Sequence, residues 1–145
     1  IGDRRQRQMC IRDRKKEELT DFYQNTIKEF GLESIEDSMG YVLSGGQRRK
    51  VEIARCLASK PKLILLDEPF AGIDPLAIDD IKNVLKSLSN KGISILITDH
   101  NLRETIDICN YSIVIKDGRV LDQGEKDYLI NSSLIKEEYF GTVFD

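Results

Sequence analysis

Leu63-Ile64-Leu65-Leu66-Asp67-Glu68, set between Lys60-Pro61 and Pro69, is the stretch on which the reading of this 145-residue chain turns. Its aliphatics do not alternate with polar residues, which predicts a strand covered on both faces of a parallel sheet. The Lys60-Pro61 step stops any helix that comes before it. An aspartate directly after buried aliphatics is costly unless it meets a cation or strong donors, so a magnesium role is natural for Asp67. Glu68, one residue on, points elsewhere. Beside a bound nucleotide its carboxylate would polarise a water for attack on a phosphate. Taken alone, the two acids are as simply a helix cap or a surface acid cluster, since acids after strands are common in α/β loops.

Working outward, the same pattern repeats. Ile93 to Thr98 reads as a second buried strand, followed by Asp99 and His100, the one histidine of the chain. Between the two strands, Asp74-Pro75 opens a helix by N-cap and first-turn proline, with Ile78, Ile81, Val84, Leu85 and Leu88 as its inner stripe. Upstream, Leu19, Phe22, Tyr23, Ile27 and Phe30 recur at helical spacing from Lys15 to Phe30, with Gly31 where a C-cap glycine belongs. Gly31 to Leu43 is a loop, and Ser44 caps a helix through Gln47, Val51, Ala54 and Leu57. Downstream come a short helix from Leu102 to Cys109 and a strand from Tyr111 to Lys116. An Asp117-Gly118 turn then leads into Arg119 to Asp122, and a helical tail in two pieces runs from Glu125 to Tyr139. Strands alternating with helices define an α/β chain with a mainly parallel sheet.

Composition narrows the class. With 40% apolar and 32% charged residues the chain is an ordinary globular one, and its apolar runs are far too short to cross a bilayer. A net charge of −3 gives no basic face for nucleic acid. Cys10, Cys56 and Cys109 lack metal-ligand spacing and fit reduced thiols of a cytosolic protein. Residues 1–14 stand apart: they hold five of the ten arginines and none of the lysines, and the rest of the chain carries −6. That arm reads either as a tether for nucleic acid or membrane, or as a non-native splice onto a truncated gene, the second being favoured by the lack of Met at position 1.

Leu43-Ser44-Gly45-Gly46-Gln47 changes the weight given to the acids. Two glycines at a helix start let backbone amides approach an anion, Ser44 offers a hydroxyl, and the helix dipole favours negative charge. An ordinary serine cap followed by flexible glycine is the plainer alternative. Four features in order, however, resemble the ATP-binding cassette (ABC) ATPases: Leu43 to Gln47 their signature loop, Leu63 to Asp67 with Glu68 their Walker B strand and catalytic glutamate, Ala71-Gly72-Ile73-Asp74 their D-loop, and His100 their switch histidine. The likeness runs from about Leu32 to the C-terminus.

The resemblance implies a P-loop (RecA-like) domain of which 15–60 is the end of the helical subdomain, 61–124 core strands and 125–145 a C-terminal helical tail. It implies ATP and magnesium as ligands, with Asp67 holding the metal, Glu68 orienting the attacking water and His100 contacting the γ-phosphate. Ser44, Gly45, Gly46 and Gln47 would grip the γ-phosphate of ATP held by the opposite subunit of a head-to-tail homodimer. Asp74 would tie the two sites together, although capping the Pro75 helix satisfies the same carboxylate. Arg48 and Arg49 read as a solvated helix face or a partner contact.

Within the family, RRKVEIARCLASKPKLILLDEPFAGIDP and GISILITDHNLRETIDIC resemble the ATPase subunits of lipopolysaccharide exporters, with branched-chain amino-acid importers the nearest rival. Such subunits lie on the cytoplasmic face of the inner membrane against integral-membrane partners. No GxxxxGK[ST] occurs in the sequence, nor the adenine-stacking aromatic or the glutamine loop. The chain is therefore expected to be the C-terminal part of such an ATPase, inactive alone, with an open apolar edge on the Ile93 to Thr98 strand. A soluble non-transport ATPase of the family and a non-catalytic module that completes a partner's site are the remaining readings.

Overall fold

The computed structural model describes residues 16–140, with side chains for 18–138. The arginine-rich arm and Cys10 lie outside the described residues. The chain divides into two compact units, Ile1–Leu96 and Ile97–Asp145.

The first unit is built on three helices. Helix α1 (Lys16–Phe30) ends as its sequence dictates: Gly31 takes φ +59°, its N–H donates to Lys28 O at 3.2 Å, and Leu32 N–H reaches Ile27 O at 2.9 Å. These two bonds form a Schellman cap, which satisfies carbonyls that the helix itself leaves open. Helix α2 (Gly45–Leu57) starts at Ser44, and α3 (Pro75–Asn90) at Asp74 with proline in its first turn. The predicted stripe of α3 is the core of the unit: Ile78, Ile81, Val84, Leu85 and Leu88 are all buried, together with Phe30, Leu32, Ile53, Leu57 and Phe70. Glu29 of α1 accepts from Ser87 and Lys91 at the far end of α3, and Lys50 of α2 pairs with Asp80.

Strands β1 (Leu63–Asp67) and β2 (Ser94–Thr98) form a two-stranded sheet joined through α3, in the parallel sense, with Ser94 N–H donating to Lys62 O at 2.9 Å. The expectation that both faces of these strands are covered is corrected by the structure. Ile64 is buried, whereas Leu63 and Leu65 are 53% and 67% exposed and Leu96 is exposed beside them in type. Side chains alternate across a strand, so the Ile64 face meets core while the Leu63 and Leu65 face is exposed. A run of aliphatics encodes tolerance of burial, not what does the burying.

In the second unit, α4 (Leu102–Ile108) is followed by an antiparallel hairpin of β3 (Ser112–Lys116) and β4 (Arg119–Gly124). Asp117 and Gly118 both have positive φ, 50° and 74°, the conformation a two-residue hairpin turn demands. A shift in register between Val114 and Ile115 marks a bulge. Two short helices, α5 (Lys126–Leu129) and α6 (Ser133–Ile135), then a π-helical turn (Lys136–Phe140), make the tail. Ile106, Val114, Leu129 and Ile135 form the core of this unit, with Leu102 and Leu121 packed against it. Asp122 ties the tail to the hairpin by accepting from the Ser132 hydroxyl, and Gln123 N–H donates to it at 2.9 Å.

Two outcomes follow from this packing. Leu85→Ala should cost about 2–5 kcal/mol in denaturant unfolding, because it leaves a cavity in the α3 stripe. Leu65→Thr should stay within about 0.5 kcal/mol of the parent, because its side chain leaves little water on folding. The Ser132 hydroxyl holds the Asp122 carboxyl below its ordinary range. Its contribution is therefore present above the unfolded carboxyl's pKa and lost as pH falls through the lower folded value. An Asp122→Asn variant should show a shallower loss of stability on acidification, measured by thermal melting across that range.

Candidate nucleotide site

Ser44 is extended (φ −62°, ψ 165°), and a complete capping box holds the start of α2. Its Oγ accepts from Gln47 N–H at 3.2 Å, and Gln47 Oε1 accepts from Ser44 N–H at 3.0 Å. The Ser44 hydroxyl keeps its own proton to donate. Gly45 and Gly46 occupy the first helical positions, whose N–H groups the helix itself cannot satisfy. No acidic residue lies in this first turn, so the helix supplies no carboxylate of its own to the positive end of its dipole. Ser44 and Gly45 are exposed and Gly46 is buried. The arrangement suits an anion approaching along the helix axis.

Asp67 and Glu68 stand exposed where β1 ends. Glu68 has φ +45°, a left-handed conformation that costs a residue with a Cβ about 1–2 kcal/mol. Its carbonyl is held from two sides, by Ala71 N–H at 3.2 Å and by Arg49 Nη2 at 3.3 Å. Arg49 also pairs with Glu52 at 2.9 Å. The solvated face expected for the Arg48-Arg49 pair is thus corrected at Arg49, which links α2 to the turn after β1. Arg48 reaches back to Leu43 O at 3.5 Å. Sequence gave only the i, i+3 spacing of Arg49 and Glu52 as a signal, and nothing pointed to the backbone at Glu68. Strain held in place by neighbouring contacts is a feature of functional turns.

Among the described residues no three or more His, Cys, Asp or Glu side chains gather as a metal cage. A carboxylate at a strand end is nonetheless a donor magnesium takes when substrate phosphates and water supply the remaining ligands. Asp67 fits that role.

The turn after Glu68 returns the chain to the start of α2. Gly72 has φ +66°, and Asp74 caps α3 by accepting from Ala77 N–H at 3.0 Å. A Cβ built on Gly45 would stand 3.2 Å from Gly72 O, and one on Gly46 would stand 2.5 Å from Ala77 Cβ. The first unit therefore brings Ser44 to Gln47 together with the Ala71 to Asp74 turn, and through Arg49 with the backbone of Glu68. His100 belongs to the second unit. Its side chain is 75% exposed, with Nδ1 3.8 Å from an Asp99 carboxylate that is itself 1% exposed and accepts from Asn101 N–H at 2.8 Å. Asn101 in turn caps α4 through Glu104 N–H.

Residues 3–71 match the ABC transporter family, a match that begins inside the arginine-rich arm. The fold and this match point to one class: the chain is similar to part of the ATP-binding domain of an ABC transporter. It is 48% identical over 118 residues to the lipopolysaccharide export system ATP-binding protein LptB of Haemophilus influenzae, covering 81% of this chain and 49% of that protein. Among solved structures, it resembles the ADP conformation of MJ1267, an ATP-binding cassette of an ABC transporter, with TM-score 0.75 and 32% identity, covering 88% of this chain and 52% of that one. It also resembles the dimeric post-hydrolysis state of the ATP-binding cassette MJ0796 bound to ADP and Pi, with TM-score 0.64 and 29% identity, covering 78% and 49%. The chain thus spans about half the length of the curated relatives it matches.

Asp74→Ala should lower unfolding free energy by about 1 kcal/mol through loss of the α3 cap, whereas Asp74→Ser should retain most of it. Guanidinium titration of the three proteins reads this directly.

Proposed function

We propose that this chain belongs to an ATP-hydrolysing subunit that powers lipopolysaccharide export, acting as a head-to-tail homodimer on integral-membrane partners at the cytoplasmic face of the inner membrane. The observation that carries the reading is the start of α2: a serine-capped helix end with two glycines and no acid in its first turn, in a chain 48% identical to an export ATP-binding protein. The second copy enters through the family resemblance, in which the Ser44 loop grips the phosphate of ATP held by the opposite subunit, and the dimeric ATP-binding cassette of similar fold supports it.

In this reading Ser44 donates its hydroxyl proton to the γ-phosphate, and the amides of Gly45 and Gly46 with the helix dipole balance its charge. The Gln47 side chain keeps Ser44 in register through the capping box. Asp67 holds magnesium, which when bound neutralises charge on the phosphate oxygens. Glu68 orients the attacking water and accepts its proton, its backbone fixed by Arg49 and Ala71. His100 contacts the γ-phosphate and stabilises charge as water adds to it and the bond to the departing ADP breaks. Asp74 caps α3 and carries the turn that faces the second site.

Glu68→Gln in the full-length protein should lower turnover by about 10²-fold or more, in line with removal of a general base, while ATP-dependent dimers persist and accumulate. Unchanged hydrolysis would overturn the assignment. Depletion of the protein in cells should leave lipopolysaccharide in the inner membrane. Loss of branched-chain amino-acid uptake instead would move the reading to an importer, and neither phenotype to a soluble ATPase.

A further inference from the structure

Gly45 and Gly46 are not glycines for the sake of backbone angle, because neither has the positive φ found at Gly31, Gly72, Gly92 and Gly118. In the first turn of a helix a glycine without that need costs stability relative to alanine. Space supplies the reason. The missing Cβ of Gly46 points at Ala77, where a methyl would sit 2.5 Å from Ala77 Cβ and 3.7 Å from both Ala77 Cα and Ile73 Cγ2. The first distance is far inside van der Waals contact, and the other two are ordinary. Gly45 looks the same way, toward Gly72 O. Both side-chain-free faces are therefore turned to residues 72–77 of the same chain.

We infer that Gly46 is required by Ala77, and that Ala77 is a positioning residue which seats the start of α2 on the first turn of α3. The contact lies at the end of a short relay. The Asp74 carboxylate holds Ala77 N–H at 3.0 Å, Ala77 Cβ fills the notch at Gly46, and Gly46 precedes the Gln47 amide that closes the Ser44 cap. A shift of the 71–74 turn then moves the phosphate-gripping loop as one body with it. The packing stands on geometry alone, and its consequence for turnover rests on the function proposed above.

A double-mutant cycle tests it. Gly46→Ala should lower the melting temperature by about 5 °C, as expected of an overpacked contact, and reduce kcat for ATP at least tenfold with KM little changed. Ala77→Gly alone empties the notch that seats the start of α2, so it should lower kcat several-fold with KM little changed and lower the melting temperature by less than Gly46→Ala does; an unchanged kcat would overturn the positioning role. In the Gly46→Ala/Ala77→Gly protein the new methyl refills the notch from the other side and meets only ordinary contacts, the backbone at position 77 and Ile73 Cγ2, both at 3.7 Å, so melting temperature and kcat should both return most of the way. If Gly46→Ala is insoluble, recovery of a folded double variant supports the same conclusion. Melting of Gly46→Ala at the parent temperature would overturn the contact. Recovered melting without recovered kcat would overturn the positioning role, leaving the glycine to the phosphate itself. Should the parent full-length protein hydrolyse no ATP, the proposed function fails while the melting cycle still decides the packing.

Discussion

The first turn of α3 is the constraint from which the rest of the first unit takes its position. Asp74 fixes that turn by a side-chain hydrogen bond, proline supplies its φ in advance, and the stripe from Ile78 to Leu88 then enters the core at a set angle. The start of α2 leans on the outer side of the same turn through two glycines, and the far end of α3 is anchored to α1 through Glu29. One helix thus carries a packing face along its length and a reference point for the candidate phosphate loop at its head.

Around that helix, polar groups are arranged by need rather than by number. The capping box uses Ser44 and Gln47 on each other, which leaves the two glycine amides as the groups of the helix end still to be satisfied. Arg49 is spent on a carboxylate and a backbone carbonyl within the unit, not on solvent. The sole histidine is exposed, with its ring 3.8 Å from the buried carboxylate of Asp99.

Much of this was legible from residue order. Local rules located α1 and its glycine cap, both later N-caps, the α3 stripe and the Asp117-Gly118 turn, because each depends on residues within a few positions of one another. The exposed faces of Leu63 and Leu65 were not legible, since burial depends on what packs over a strand, and the strand's composition is silent on that. Glu68's positive φ escaped for a similar reason: no residue type announces a left-handed glutamate, and only the bonds from Ala71 and Arg49 hold it there. The glycines of the Ser44 loop read in sequence as room for a ligand from outside, whereas Gly46 faces Ala77, 31 positions away and beyond any local pattern.

The left-handed turn at Glu68 separates two properties that usually travel together. Its torsional load comes from the Cβ, while its chemistry comes from the carboxylate three bonds further out. A replacement of the same shape inherits the load whatever its charge, and glycine sheds both at once. Position 68 therefore carries a load set by the backbone and by branching near it, heaviest for β-branched residues, light for Asn and absent for Gly, and nearly the same for Glu and Gln. A Glu-to-Gln change at this position therefore alters charge while leaving the backbone load where it was.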